Sequence, residues 1–179
     1  MKQPANVVMF LSIAKESFIM LTVTLACFGA PKESYFRAAL DEYEKRLSRF
    51  CRVKELCLKP ENLPEEPNNA QIASALAAER ARLEAALPKG AYRCALCIEG
   101  KEITSEGLSQ KVEKIASGGK SEIVFIIGSS HGLDEGFKKT CDERLSLSQM
   151  TFAHSLALVM LAEQLYRAFS ISSGGKYHK

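Results

Sequence analysis

The stretch Glu122–Gly128, EIVFIIG, carries no polar side chain after its first residue. A strand with one face in water alternates apolar and polar residues. A run that is apolar throughout reads instead as a strand covered on both faces, and in a parallel sheet helices supply the cover. The surrounding sequence offers them. Further strands are expected at 21–29 (LTVTLACFG), 52–58 (RVKELCL) and 92–98 (YRCALCI). Between the first two, Phe36, Leu40, Tyr43 and Leu47 recur at helical spacing with charges opposite. Residues 70–87 form an Ala- and Leu-rich helix stopped by Pro88-Lys89-Gly90, and a helix over 104–117 opens at Thr104 or Ser105. Residues 133–143 read as a short helix, 144–152 as an alternating strand or loop, and 155–171 as a closing amphipathic helix. Strands separated by helices predict an α/β fold built on a mainly parallel sheet flanked by helices.

At 179 residues the chain is long enough to bury one substantial core. Residues 20–179 are expected to form a single domain, and residues 1–19 an extension of unknown role. That extension has one Lys before a short apolar stretch, yet Lys15 and Glu16 interrupt it, and it is too short to span a bilayer. The reading is a cytoplasmic protein with no membrane partner. Charge is mixed, 24 Lys and Arg against 21 Asp and Glu. That excludes a binder whose affinity is mostly phosphate neutralisation, but not an enzyme that visits RNA.

Six cysteines invite a disulfide or metal reading. Cys94 and Cys97 have the spacing of a zinc or redox pair, but they sit in an apolar strand, where residues three apart face opposite ways. No second close pair exists, so no metal is expected and the thiols read as buried.

In open α/β sheets ligands bind beyond the carboxyl ends of the strands. Three segments qualify: EGK after Ile98, GSSHG after Ile127, and SLSQMTFAH before the last helix. None is a P-loop, since no Gly-Lys-Ser/Thr follows the glycines, and GSSHG lacks the inner G-x-G of a dinucleotide site. Each alone is a weak signal.

Together, LCIEGK, FIIGSSHG, LSLSQMTFAH, AEQLYRA and the terminal YHK resemble, in order and spacing, the ribosomal large-subunit methyltransferase H family. This is a small member of the SPOUT class of knotted methyltransferases. The resemblance runs from about Leu21 to Lys179. It implies an α/β fold with a C-terminal trefoil knot, a homodimer, and transfer of a methyl group from S-adenosyl-L-methionine. The acceptor it implies is N3 of a pseudouridine in helix 69 of 23S rRNA, on assembled ribosomes. It further implies that Leu96, Gly128, Leu147, Ser148, Gln149, Met150, Thr151 and Phe152 bind the cofactor. Tyr177 and His178 match a terminal pair that closes over the partner subunit's site, with His178 as base or orienter. Imidazole is the side chain that titrates near neutrality, which suits removal of the N3 proton.

Arg167 and Lys176 are candidates for RNA phosphate contact. His154 opens the last helix, where a structural role and a catalytic one are both open; His131 is expected exposed, with no assigned chemistry. Three departures from the family stand out: Ser129 for a glycine, Ala153 for a proline, and Leu158 for an arginine. The alternative readings are a SPOUT-fold cofactor- or RNA-binding protein with altered target or lost catalysis, and a cysteine-based metal or redox module.

Overall fold

The computed structural model describes residues 20–175 and 177. Five strands form one sheet in the order β2-β1-β4-β3-β5: β1 Thr22–Phe28, β2 Arg52–Leu58, β3 Tyr92–Glu102, β4 Glu122–Ile127 and β5 Glu143–Ser146. Every neighbouring pair is parallel. The helices are α1 Ser34–Leu47, α2 Asn69–Ala86, α3 Ser105–Ser117, α4 Glu135–Thr140 and α5 His154–Ser172.

The alternation of side chains along each strand divides the core in two. Val23, Leu25 and Cys27 of β1 and Ile123, Phe125 and Ile127 of β4 pack with Leu40 and Leu47 of α1, Leu108 and Val112 of α3, and Leu158, Leu161 and Leu165 of α5. Ala26 and Phe28 of β1 and Val124 and Ile126 of β4 face the other way, onto Leu83 of α2 and Phe137 of α4. β1 and β4 are thus covered on both sides, which is why EIVFII has no polar alternation. Each large apolar side chain so buried contributes about 1.5–3 kcal/mol.

Local chemistry sets the helix starts. Asn68 and Gln71 form a reciprocal cap: Gln71 N donates to Asn68 Oδ1 and Asn68 N donates to Gln71 Oε1, both at 2.9 Å. Thr104, not Ser105, caps α3, its Oγ1 accepting from Gly107 N at 3.0 Å.

Two boundaries differ from expectation at the same place. β3 does not stop near Ile98 but continues through EGK to Glu102. Leu96 and Lys101 both pair with Leu145, so residues 97–100 bulge out between two stretches of ladder. At the bulge Gly100 lies so close to β5 that a Cβ there would be 2.4 Å from the Leu145 carbonyl carbon. Only glycine fits this crossing. β5 itself ends at Ser146, leaving residues 147–153 as a loop into α5.

Candidate functional site

The bulge within β3 and the loops after β4 and β5 converge. The 97–100 bulge, the Gly128–Gly132 turn and the segment from Ser146 to His154 enclose a cleft of about 810 Å³. Apolar side chains line it (Leu96, Ile98, Leu147, Met150, Phe152), interleaved with Ser148 and Thr151. Met150 stands 69 % exposed at the rim. The loop is held by its own serines: Ser146 Oγ donates to Ser148 O at 2.8 Å, and Met150 N donates to Ser148 Oγ at 3.1 Å.

Gly128 is buried where β4 turns out of the sheet. A Cβ there would lie 2.3 Å from the carbonyl carbon and oxygen of Gly132. The turn is closed by Gly132 N donating to Ser129 O at 2.9 Å, with Gly132 at φ 81°. Across the cleft, Lys138 of α4 forms ion pairs with Glu99 of the bulge and Glu135. Its hydrogen bond holds the Glu99 carboxyl below the ordinary range. This pairing ties the bulge to α4 and fixes one wall of the cleft.

A second pocket, about 680 Å³, adjoins the cleft and shares Ser129, Ser130, His131 and His154 with it. It lies at the ends of β1 and β4, under the proline- and acid-rich loop that follows β2. Its floor is Glu79 of α2, only 4 % exposed. Glu79 Oε1 accepts from Glu61 N at 2.9 Å and Oε2 accepts from Ser129 Oγ at 2.8 Å. Burial raises the Glu79 carboxyl above its ordinary range, an effect partly offset by the Ser129 hydrogen bond.

The family model described as "Predicted SPOUT methyltransferase" matches residues 21–178. The ribosomal RNA large subunit methyltransferases H of Ruminiclostridium cellulolyticum and Leuconostoc mesenteroides are each 42 % identical to the chain over 159 residues, covering 89 % of it and 100 % of the relative. The chain belongs to the SPOUT methyltransferase family. The "probable methylase family protein" of Haemophilus influenzae Rd KW20 shares the fold, with TM-score 0.51 at 15 % identity over 89 % of this chain and 70 % of that one.

Seven of the eight residues that the SPOUT resemblance assigns to the cofactor line the one cleft: Leu96, Gly128, Leu147, Ser148, Met150, Thr151 and Phe152. Gln149 does not line it and is exposed. His178 and Lys176 lie outside the described residues. Tyr177 is described, and it is not at the cleft. Its ring meets Tyr166 edge-on with centroids 4.6 Å apart, and its hydroxyl donates to Glu163 Oε1 at 3.3 Å. Burial and the neighbouring Tyr43 hydroxyl push the phenol up to about 12. Arg167 pairs with Glu163 at 2.5 Å and donates to Tyr177 O at 3.2 Å. This cluster begins at the middle of α5, about 9 Å (Glu163) to about 15 Å (Arg167) along the helix from Ala157 at the cleft.

Leu158, the position for which the family resemblance implies an arginine, is 1 % exposed within the core. In this chain the position serves packing. All six cysteines are free thiols. Burial pushes Cys27, Cys51 and Cys94 well above the ordinary thiol range, so they are poor nucleophiles and poor metal ligands. Among the described residues no helix is long and apolar enough to cross a membrane.

The second pocket was not anticipated from sequence. One signal was present: Ala75, Glu79 and Leu83 share the buried stripe of α2 at i, i+4 spacing. A carboxylate on an apolar stripe needs partners, and those partners are the pocket walls.

Proposed function

We propose that the chain is an S-adenosyl-L-methionine-dependent methyltransferase of large-subunit ribosomal RNA, acting on N3 of a pseudouridine in helix 69 of 23S rRNA as a homodimer. The carrying observation is the convergence of the β3 bulge and two strand-end loops on one cleft, in a chain alignable over the full length of relatives named for large-subunit ribosomal RNA.

The cleft residues fit the cofactor. Leu147, Met150 and Phe152 supply an apolar slot for a flat ring, the loop backbone supplies groups for its edge, and Gly128 lets the turn that borders the slot close tightly on Gly132. When bound, the cofactor supplies an electrophilic methyl group. What remains for the protein is to orient the acceptor and take the N3 proton, and the proposed base is His178 with Tyr177 beside it. Tyr177 lies far from its own cleft, which supports delivery of this tail to the partner subunit's site. Membership of the SPOUT family supports a C-terminal trefoil knot. Arg167 and Lys176 are proposed to hold RNA phosphates, Arg167 after exchanging its hold on Tyr177.

The test is methyl transfer to ribosomes from cells lacking the protein, with nucleoside mass spectrometry of helix 69. One new methyl on the pseudouridine is expected. Cofactor binding without transfer to any ribosomal RNA would instead indicate a binding protein.

A further inference from the structure

We propose that the pocket beside the cofactor cleft receives the acceptor nucleobase, a uracil-type ring entering without its phosphate. This rests on the reading of the chain as an RNA methyltransferase and adds where the base goes.

Topology comes first. From β1 the chain moves outward to β2 on one side, while β4 and β3 lie on the other. Ligands of such sheets sit in the crevice where the strand order reverses, at the carboxyl ends. Here that crevice lies between Gly29 after β1 and the Ser129–His131 turn after β4, and both line the pocket.

The pocket is also built rather than incidental. Glu79 holds both walls at once, one oxygen on the backbone of the loop after β2 and the other on Ser129 of the turn. A buried carboxylate is costly unless it is satisfied, so its position fixes the spacing of those walls.

Its chemistry selects the occupant. Glu33, Glu61, Glu65 and Glu79 line it against Lys32 and two histidines. Such walls repel phosphate, so a nucleotide can insert its base while its backbone stays outside. A uracil-type ring brings N–H donors for the carboxylates and carbonyl oxygens for Lys32. At about 680 Å³ the space is of ordinary ligand size.

Its position then matches the reaction. The wall shared with the cofactor cleft carries His154, whose Nε2 would lie 3.8 Å from a Cβ on Gly29. The two spaces also share Ser129, Ser130 and His131, so a base seated here meets the donor cleft beside that imidazole, with no side chain needed between acceptor and donor. His154 thereby faces the acceptor, while the proposed proton acceptor comes from the tail.

The test plugs the pocket without entering the cofactor cleft. Ala30 is exposed and lines only the second pocket. Turnover on ribosomes by Ala30→Trp is expected to fall roughly 100-fold, because a displaced acceptor loses its attack geometry. Cofactor affinity by calorimetry and melting temperature should match the wild type. Lys32→Trp serves as the second plug if Ala30→Trp misfolds. A fall of less than about tenfold in a folded plug overturns the assignment, as does loss of cofactor binding, which would make this space part of the donor site. Wild-type turnover separates the two proposals: if it is present and the plugs are harmless, only the subsite fails. If it is absent, the enzyme reading fails and the subsite with it.

Discussion

The guanidinium carbon of Arg167 lies 4.7 Å from the centroid of the Tyr177 ring. With Glu163 and Tyr166 it clasps the tail against α5, well away from the cleft of the same chain. A clasp of one cation–π contact and partly exposed hydrogen bonds is worth about 1–2 kcal/mol, little enough for bound RNA or a second subunit to exchange it. Deleting residues 176–179 should therefore abolish most methyl transfer, by about 100-fold or more for loss of an acid–base group. Cofactor affinity should stay within about twofold, since Tyr177, the described residue of this tail, does not line its own cleft. Single-turnover assays and calorimetry together check this. Weakened cofactor binding would count against a tail that acts on the acceptor.

Gly128→Ala should show the opposite pattern. Its Cβ would run into the Gly132 carbonyl rather than into the open cleft, so the whole Gly128–Gly132 turn must shift. Both neighbouring spaces use that turn, and cofactor Kd should rise by about tenfold or more as its edge contacts are misplaced. Affinity for ribosomal RNA, measured without cofactor, should change far less, because phosphate contacts away from this turn carry most of it, even though the seat of one base is disturbed. A variant with unaltered cofactor affinity would mean that the turn yields without cost.

Stability should fall as pH rises through neutrality, because of Glu44. Burial, and after it the charge of Glu55, raises its carboxyl to about 7. Its Oε1 is buried without a hydrogen-bond partner among the described residues. Asp41 and Glu55 crowd the same space, drawn in by Arg37 at 2.6 Å and 2.8 Å. Between the ordinary carboxyl range and about 7, the folded protein keeps a proton that the unfolded chain releases. Folding is thus favoured at the acid end of that window and loses stability as pH rises. Glu44→Gln should melt above the wild type near about pH 8, with the difference closing towards about pH 5. A pH-independent difference would place the effect in packing instead.

How much of this was legible in the chain depends on whether a feature is local. EIVFII announces a strand covered on both faces because burial on both sides removes alternation, and that follows from the six residues themselves. The cleft loops were legible through the ordered motifs, and seven of eight assigned residues meet. Gln149 falls out because, in a loop that is not a strand, the residue between Ser148 and Met150 has no fixed alternation. The extension of β3 to Glu102 was not legible, since only Leu145 pairing twice reveals the bulge. Nor was the pocket over Glu79, whose two partners are 18 and 50 residues away in sequence.

Leu158 offers a last discrimination. The resemblance marks it as a position where relatives carry arginine, and a simple expectation would be that restoring the cation improves RNA binding. The structure says otherwise. Leu158 is 1 % exposed and packs in the core cluster that contains Leu161, Ile127 and Leu145. A guanidinium forced into that site would be an uncompensated buried charge, costing about 3–5 kcal/mol. Leu158→Arg should therefore lower the melting temperature clearly and leave RNA affinity no better. A variant that melts as the wild type does while binding RNA more tightly would show that α5 can turn this position outward, and that packing does not fix its first two turns.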